Sequence, residues 1–270
     1  MTIVRSGLLA VMMSSVPVLA AEPLHVIIFS GGVTEADGNA ALSSFKKLEP
    51  LLTRAVTLPK GEPKVLDSST LPGLKPGFRV VTLGVCRTPG PVLATLKALY
   101  PGTYSKPLTG DVGPERCPVV TGVKAEAIEP AIKVGTSVIN AFTLSEQGQD
   151  ERGRDTPGSS VGFVLVEKSS GLVRSVLSVE GAGVGRSGDG PAGWEYLTCN
   201  VVVEAEKAGF VVTRSCDDER TGCELKERAI PKKWTERERV TVKGEALTSS
   251  GSKKSVSEKS ACVAGADEGD

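Results

Sequence analysis

The chain has 270 residues, with 32 Lys+Arg against 32 Asp+Glu, a formal net charge of zero, and only 4% aromatic residues. A nucleic-acid-binding protein is excluded, because such proteins carry a strongly basic surface that is usually interleaved with aromatic side chains. The length is enough to bury one large hydrophobic core or two smaller ones.

Residues 1–20 have the pattern of a secretory signal peptide. Arg5 supplies a positive charge, the apolar stretch "SGLLAVMMSSVPVLA" follows, and Val18 and Ala20 are the small residues expected before a cleavage site. The stretch is interrupted by serines and Pro17 and is shorter than the roughly 20 residues of a membrane span. We therefore expect cleavage after Ala20, no membrane span in the mature chain, and a periplasmic or secreted protein of the cell envelope.

Residues 21–117 alternate strand and helix patterns. Short aliphatic strands are predicted in "LHVIIFSGG", "PKVLDSS", "FRVVTLGV" and "TYSKPL". Helices are predicted in "TEADGNAALSSFKKLEPLL", with Thr34 as N-cap and Asp37 three residues on, and in "PGPVLATLKALYPG". The turns Pro72-Gly73 and Pro76-Gly77 precede the third strand. The order βαββαβ predicts a ferredoxin-like domain, a four-stranded antiparallel sheet with both helices on one face and the other face open.

Residues 24 to about 110 resemble a SPOR (sporulation-related repeat) domain. One feature of the resemblance is the aliphatic strand from Val26 to Gly32, which ends at glycine before a helix. The other is a second strand of similar pattern, "FRVVTLGV", which follows "DSS" and "LPGLKPG". SPOR domains have the βαββαβ fold and bind peptidoglycan glycan lacking stem peptides on the helix-free face of the sheet. The resemblance implies the same glycan partner here.

Strand alternation indicates which residues would line this open face. Phe29 shares a face of its strand with Ile27, and Phe78, Val80 and Thr82 occupy the equivalent face in the second repeat. The face is apolar, so it also fits docking of a protein or of the chain's own second half. The residues expected to stack on sugars or to offer backbone hydrogen bonds are Phe29, Gly31, Gly32, Phe78 and Thr82.

Residues 118–248 read as an all-β domain. Runs of β-branched residues such as "SVGFVLVEK", "NVVVEAEK" and "GFVVTRSC" are separated by short turns, which predicts successive antiparallel strands and hence a sandwich or a partial barrel. Residues 249–270 are predicted to be a Ser/Lys-rich tail typical of a linker. The predicted fold class is α+β: the N-terminal βαββαβ ferredoxin-like, SPOR-like domain, then the all-β antiparallel domain.

Two glycine-rich and polar segments are predicted to be loops. These are "EQGQDERGRDTPGSS" from Glu146 and "GAGVGRSGDGPAG" from Gly181. The second lacks the GxxxxGK[ST] arrangement of a phosphate-binding loop, so a flexible connector is favoured. The acidic "CDDE" at Cys216 is favoured as a solvated hairpin tip over a calcium site, which needs six or more oxygen ligands.

The six cysteines all lie in the mature chain and predict disulfide bonds in an oxidising compartment. Their spacing matches no zinc site, so we expect no metal and no other cofactor. Spacing leaves the connectivity open; we expect Cys216 to pair with Cys223 across a hairpin and Cys86 to pair with Cys117. The remaining candidates for disulfide bonds are Cys199 and Cys262.

The sequence argues against an enzyme. Its single histidine, His25, is too few for a catalytic zinc site, and no G-x-S-x-G motif presents a serine nucleophile. We expect a non-catalytic, exported cell-wall binding protein that recognises peptidoglycan glycan through the open sheet face. The alternative is a structural or assembly protein of the cell envelope or secreted surface, acting through contacts of the β domain with an envelope protein.

Overall fold

The computed structural model describes residues 22–110, 112–149, 155–190, 193–220, 227–230, 232–256 and 261–264. The expected signal peptide and Cys223 lie outside these residues. As far as residue 107 the elements are strand β1 (His25–Gly32), helix α1 (Glu35–Ala55), strands β2 (Val56–Thr57), β3 (Lys64–Asp67) and β4 (Arg79–Cys86), helix α2 (Gly90–Leu99) and strand β5 (Tyr104–Pro107).

Four of these strands form an antiparallel sheet in the order β3-β4-β1-β5, here called the small sheet. In β1, Ile27 and Phe29 are buried on one face, and Val26 and Ile28 are buried on the other. A strand buried on both faces has a continuous apolar run instead of an alternating pattern. This explains the sequence of β1 and shows that both faces of the small sheet are covered.

Helix α1 begins where the sequence predicts. The backbone N–H of Asp37 donates to Thr34 Oγ1 at 3.1 Å, and the Asp37 carboxylate accepts from the backbone N–H groups of Val33 and Thr34 at 3.0 and 2.8 Å. This capping box satisfies backbone donors that a helix leaves unpaired at its start. Buried residues of α1 recur at intervals of three and four, as in an amphipathic helix: Ala41, Phe45, Leu48 and Leu52.

Beyond residue 117 the regular elements of the described chain are all strands. They are β6 (Val119–Val120), β7 (Lys124–Val134), β8 (Ser137–Gln149), β9 (Asp155–Glu167), β10 (Val173–Gly190), β11 (Gly193–Glu206), β12 (Gly209–Arg220), β13 (Glu227–Ile230), β14 (Lys232–Lys243), β15 (Ala246–Val256) and β16 (Ala261–Ala264). Eight form one antiparallel sheet, the large sheet, in the order β15-β14-β12-β11-β10-β9-β8-β7. The short strands pair separately, β2 with β6 and β13 with β16.

The two helices lie between the small sheet and the large sheet. Phe45 of α1 meets Phe29 of β1 edge to face, with ring centroids 5.3 Å apart. Elsewhere on α1, Lys47 Nζ donates to the backbone carbonyl oxygens of Val173 and Arg174 in β10, at 3.3 Å each. The apolar core around the helices therefore combines residues from both halves of the chain.

The large sheet curls around a second apolar core. Phe163 of β9 and Phe210 of β12 belong to this core, and their ring centroids are 5.5 Å apart. The backbone N–H of Leu247 in β15 donates to Ser175 Oγ in β10 at 3.1 Å. These two strands are four positions apart, about 19 Å in a flat sheet, so the bond requires the sheet to fold back on itself.

The predicted fold class is wrong. The chain is mostly β, with only two α-helices among the described residues, and its largest unit is a single eight-stranded antiparallel sheet. The helices do not belong to a separate ferredoxin-like domain followed by a sandwich or partial barrel; they are a middle layer shared by two sheets. Sequence patterns identify strands and helices but do not show which sheet covers the second side of a helix.

The C-terminal residues also differ from expectation. Residues 249–256, predicted to begin a linker-like tail, continue strand β15, and residues 261–264 form β16. The "CDDE" segment lies inside β12 and not at a hairpin tip.

Two disulfide bonds join four of the described cysteines. Cys86 is bonded to Cys117, as predicted, and this links the end of β4 to the segment before β6. Cys216 is bonded to Cys199 and not to Cys223, so that prediction is wrong. Cys199 and Cys216 are directly opposite each other on β11 and β12, a register that the sequence does not reveal. Two disulfides indicate an oxidising, extracellular environment.

Replacing Asp37 by alanine should destabilise the protein in a pH-dependent manner. Hydrogen bonds from the backbone and side chain of Thr34 lower the pKa of Asp37 below 3.8. A lowered pKa contributes stability above pH 3.8 that is lost as the pH falls through the folded-state value. Urea denaturation at about pH 6 and about pH 3 should therefore show a smaller difference between wild type and Asp37→Ala at the lower pH. An equal difference at both values would contradict the role of the carboxylate charge.

Candidate functional site

The structure does not bring the five predicted ligand residues to one exposed surface. Phe29 is fully buried on the helix side of the small sheet, against Phe45 and against Tyr100, whose ring centroid is 4.5 Å away. Tyr100 in turn donates a hydrogen bond to the carbonyl oxygen of Gly171 in the second half, and burial raises the pKa of its hydroxyl. Phe29 is thus part of the shared core.

Phe78 and Thr82 lie on the side of the small sheet opposite Phe29. Phe78 packs into a cluster with Leu71 and Leu74, which covers the buried residues of β1 on this side. Thr82 is buried and donates from Oγ1 to Glu62 Oε2 at 2.8 Å. The face expected to be open is therefore occupied by residues of the chain's own connecting segments.

Gly31 and Gly32 have structural reasons to be glycine. A Cβ on Gly31 would lie 2.4 Å from the carbonyl oxygen of Arg79 on the paired strand, and one on Gly32 would lie 2.3 Å from Cβ of Asp37. Both glycines thus permit close approach, the first between β1 and β4 and the second at the start of α1.

The large sheet contains a cleft of about 530 Å³, here called the sheet cleft. It crosses strands β8 to β11 near the start of β7. Residues that line it include Lys124, Glu146, Gln147, Gly158, Gly183 and Asn200. A concave site of this volume with a few polar groups has the size and composition of a ligand-binding site.

The floor of the sheet cleft is a row of residues that are direct partners across successive strands. Glu146 of β8 pairs with Gly158 of β9, which pairs with Gly183 of β10, and this glycine pairs with Cys199 of β11. Cys199 then pairs with Cys216 of β12, its disulfide partner. Direct partners in antiparallel strands project to the same face, so a furrow without side chains runs between the Glu146 carboxylate and the disulfide.

At Gly158 and Gly183, the two glycines of this furrow, the structure has room for a Cβ atom. A Cβ added to Gly183 would come no closer than 3.9 Å to the carbonyl oxygen of Pro157, and one added to Gly158 no closer than 3.9 Å to Glu146 Cγ. These are ordinary van der Waals distances. Glycine is therefore not required here for folding by close approach, in contrast to Gly31.

A bulge in β10 shapes the wall of the sheet cleft. The pairing of β10 with β9 shifts between Glu180 and Gly183, and Ser159 Oγ accepts from the backbone N–H of Ala182 at 2.7 Å. A Cβ on Gly181 would lie 2.4 Å from Ser159 Oγ, so only glycine fits there. The bulge is held by Ser159 and breaks the alternation of side chains along the strand.

The helix layer is connected to the sheet cleft through Arg54 at the end of α1. Arg54 Nη1 donates to Ser160 Oγ at 2.7 Å, and Nη2 lies 3.5 Å from Glu146 Oε1. Thr121 Oγ1 donates to the carbonyl oxygen of Arg54 at 2.6 Å. The positive charge of Arg54 thus partly compensates the negative charge of the Glu146 carboxylate that lines the cleft.

A second polar cluster on the large sheet is an ion-pair network. Arg214 of β12 contacts the carboxylates of Glu236 in β14 and Glu180 in β10. Burial opposes the charged form of Arg214, but hydrogen bonds to these two carboxylates outweigh it and raise the pKa of the guanidinium. Arg214 therefore stays charged and links three strands of the large sheet.

Within the described ranges, no group of three His, Cys, Asp or Glu residues is arranged to hold a metal ion. No helix in this part of the chain has the length and apolar character needed to cross a membrane.

Comparisons with known proteins add no family assignment. No protein-family model, no curated protein and no solved structure matches this chain.

Sequence reasoning missed the sheet cleft because it assigned two of its walls to loops. The segments beginning at Glu146 and Gly181 are largely strand: β8 continues to Gln149, β9 begins at Asp155, and β10 continues to Gly190. Glycine-rich polar sequence normally indicates a turn. The signal that was present is the spacing of Gly181 and Gly183, which marks a bulge next to an open position.

Replacing Phe29 by alanine should destabilise the fold instead of removing a surface contact. A fully buried phenylalanine leaves a cavity when truncated, and the free energy of unfolding should fall by about 3 to 5 kcal/mol. Tyr104, which is 38% exposed on the neighbouring strand, is the matched control, and Tyr104→Ala should cost less than about 1 kcal/mol. Urea denaturation followed by circular dichroism measures both; a wild-type midpoint for Phe29→Ala would contradict its place in the core.

Proposed function

We propose that this protein is an exported, non-catalytic binding protein of the cell envelope or secreted surface, and that its ligand lies in the sheet cleft. The single observation that carries the proposal is the glycine-floored furrow between Glu146 and the Cys199–Cys216 disulfide. The furrow is an open concave surface on a sheet in which a disulfide links β11 to β12, and a preorganised site loses less conformational entropy when a ligand binds.

The placement of the site differs from the one that the SPOR resemblance implies. On the small sheet, Phe29 is buried under α1, and the opposite face is covered by the cluster that contains Leu71, Leu74 and Phe78. An extended ligand could reach that face only by displacing apolar residues that are in contact with Val26 and Ile28. The sheet cleft of the large sheet is already open, so a ligand can bind there without displacing apolar residues.

Export is supported by the two disulfides and by the signal-peptide pattern of residues 1–20. A periplasmic or secreted location gives the protein access to two classes of ligand, the glycan of the cell wall and other envelope proteins. Both are compatible with a binding role for the sheet cleft.

The experiment measures binding of the mature chain, residues 21–270, to purified sacculi, to sacculi stripped of stem peptides by an amidase, and to the immobilised exported proteins of the source organism. Gly183→Val places a side chain in the sheet cleft, and its Cβ would come no closer than 3.9 Å to the carbonyl oxygen of Pro157. Gly251→Val on β15 is the matched control, because a Cβ there meets nothing within 4 Å. We expect binding to at least one preparation to weaken about tenfold or more in Gly183→Val and to be unchanged in Gly251→Val.

Two results would contradict the proposal. Pelleting with sacculi that survives Gly183→Val but is lost in Tyr104→Ala would place the site on the small sheet. Release of soluble fragments from sacculi by the wild-type protein would show that it is an enzyme.

A further inference from the structure

We infer that the outer face of strands β14 and β15 binds an extended anionic polysaccharide. The cationic part of this face, here called the basic strip, consists of Arg237, Arg239 and Lys243 on β14. The strip shares no residue with the lining of the sheet cleft, so the inference goes beyond the proposed function and does not depend on it. It follows from the separation of charge on β14, the shape of the surface and its chemical composition.

Strand β14 carries cations on one face and acids on the other. Val240 lies in the second apolar core together with Phe210, its direct partner on β12. Because side chains alternate between faces along a strand, the even-numbered residues of β14 face inward and the odd-numbered residues face outward. The three cations of the basic strip are odd-numbered and exposed, whereas Glu236 and Glu238 are even-numbered.

This separation leaves two cations of the basic strip uncompensated. Among the residues that the structure describes, none forms an ion pair or a hydrogen bond with the side chain of Arg237 or Lys243. Arg239 has a partner, Glu206 of β11, whose Oε2 lies 3.0 Å from Arg239 Nε. Lys253 of β15 is the direct register partner of Arg237 and adds a cationic residue to this part of the sheet. Cations with few acids beside them create a positive potential that attracts a polyanion.

A bulge in β15 opens a shallow depression of about 350 Å³ within the basic strip. The pairing of β14 with β15 shifts between Arg237 and Arg239, and the extra residue is in β15. The depression is lined by both arginines, by Val211 and Ser250, and by Glu238 of the segment between the arginines. A guanidinium donates paired hydrogen bonds to the oxygen atoms of an acidic group. The depression therefore has room for one acidic group of a ligand beside two arginine side chains.

Hydroxyl side chains surround the cations on the same face. Direct partners in antiparallel strands project to the same face, and those of Arg237 and Arg239 include Thr213 of β12 and Ser250 of β15. Thr241 occupies the next outward position of β14 after Arg239. Each hydroxyl both donates and accepts a hydrogen bond, as the hydroxyls of a sugar do. Cations interspersed with hydroxyls therefore fit a sugar polymer that carries acidic groups.

The same composition argues against a membrane or a protein as the occupant. Of the exposed large apolar side chains in the described chain, only Val202 of β11 lies in the same row of partners as Arg237. Membrane-surface segments need an apolar face, and protein interfaces have an apolar or aromatic centre.

The acids of β11 indicate the direction of the polymer. Glu204 and Glu206 are exposed on β11, so a polyanion is repelled on that side of the basic strip. Arg237 and Lys243 are six residues apart, which corresponds to about 20 Å along an antiparallel strand. We therefore expect the polysaccharide to lie along β14 and β15, with several of its acidic groups in contact with the basic strip.

The experiment titrates the mature chain, disulfides intact, with dextran sulfate and with neutral dextran, the matched polymer without charge, between about 50 and 200 mM NaCl. We expect dextran sulfate to bind and dextran not to bind. Arg237→Gln should weaken binding about three- to tenfold and lower the slope of log K against log salt by about one, because one contact that releases a counterion is lost. Arg237→Lys should keep most of the affinity. Lys60→Gln, which removes an exposed charge from the turn before β3, is the matched control and should bind as the wild type does.

A further variant should have the opposite effect. Glu206→Gln removes the carboxylate that pairs with Arg239, so this guanidinium becomes available to the polymer. We expect the affinity for dextran sulfate to rise about two- to threefold at low salt. A variant that folds poorly would not bind more tightly, so this result separates the charge of the strip from an effect on stability.

Three results would overturn the inference. Equal losses in Lys60→Gln and Arg237→Gln would show that binding follows total charge and not the basic strip. If poly-glutamate or phosphatidylglycerol vesicles, titrated in parallel, depend on Arg237 while dextran sulfate does not, the occupant is an acidic protein or a membrane. Gly183→Val should bind dextran sulfate as the wild type does; a loss there that is absent in Arg237→Gln would place the polyanion in the sheet cleft.

Discussion

The structure depends on a helix layer whose apolar surface must be covered from two sides. The small sheet covers one side through the contact of Phe29 with Phe45. Strand β10 covers the other, where Ser44 Oγ accepts from the buried backbone N–H of Val173. Each contact removes surface or a polar group from water that would otherwise be costly to expose or to leave unpaired. Neither sheet alone accounts for the burial of the helices.

Local features of this arrangement could be read from the sequence. The start of α1 follows from Thr34 and Asp37, because a capping box depends only on residues three apart. The strands of the small sheet follow from short aliphatic runs, and the Cys86–Cys117 bond joins the end of one strand to a nearby segment. These features are set by interactions within a few tens of residues, which sequence patterns record well.

The sheet cleft and the fold class could not be read in the same way. Alternation correctly separates Phe29 from Val26 but does not state which face the helices cover. The wall formed by β10 includes Gly181 and Gly183, and glycine in a polar context indicates a loop unless the pairing strand is known. The register of Cys199 with Cys216 depends on the pairing of β11 with β12, which no single-strand pattern contains. The missing information was therefore the contact between elements, not their presence.

The shared helix layer has a consequence for the order in which the chain folds during its synthesis. The N-terminal segment is synthesised first and can form the small sheet and both helices, but Val173 of β10 is added more than a hundred residues after α1. Until then Leu48 and the other apolar residues of α1 are not packed against the large sheet. Their exposed apolar surface promotes aggregation. In the large sheet, in contrast, most neighbouring strands are consecutive in the chain, so most of its strand pairs close only short loops. Productive folding is therefore a competition between growth of the meander and self-association of the early intermediate, and a holding chaperone would favour the first.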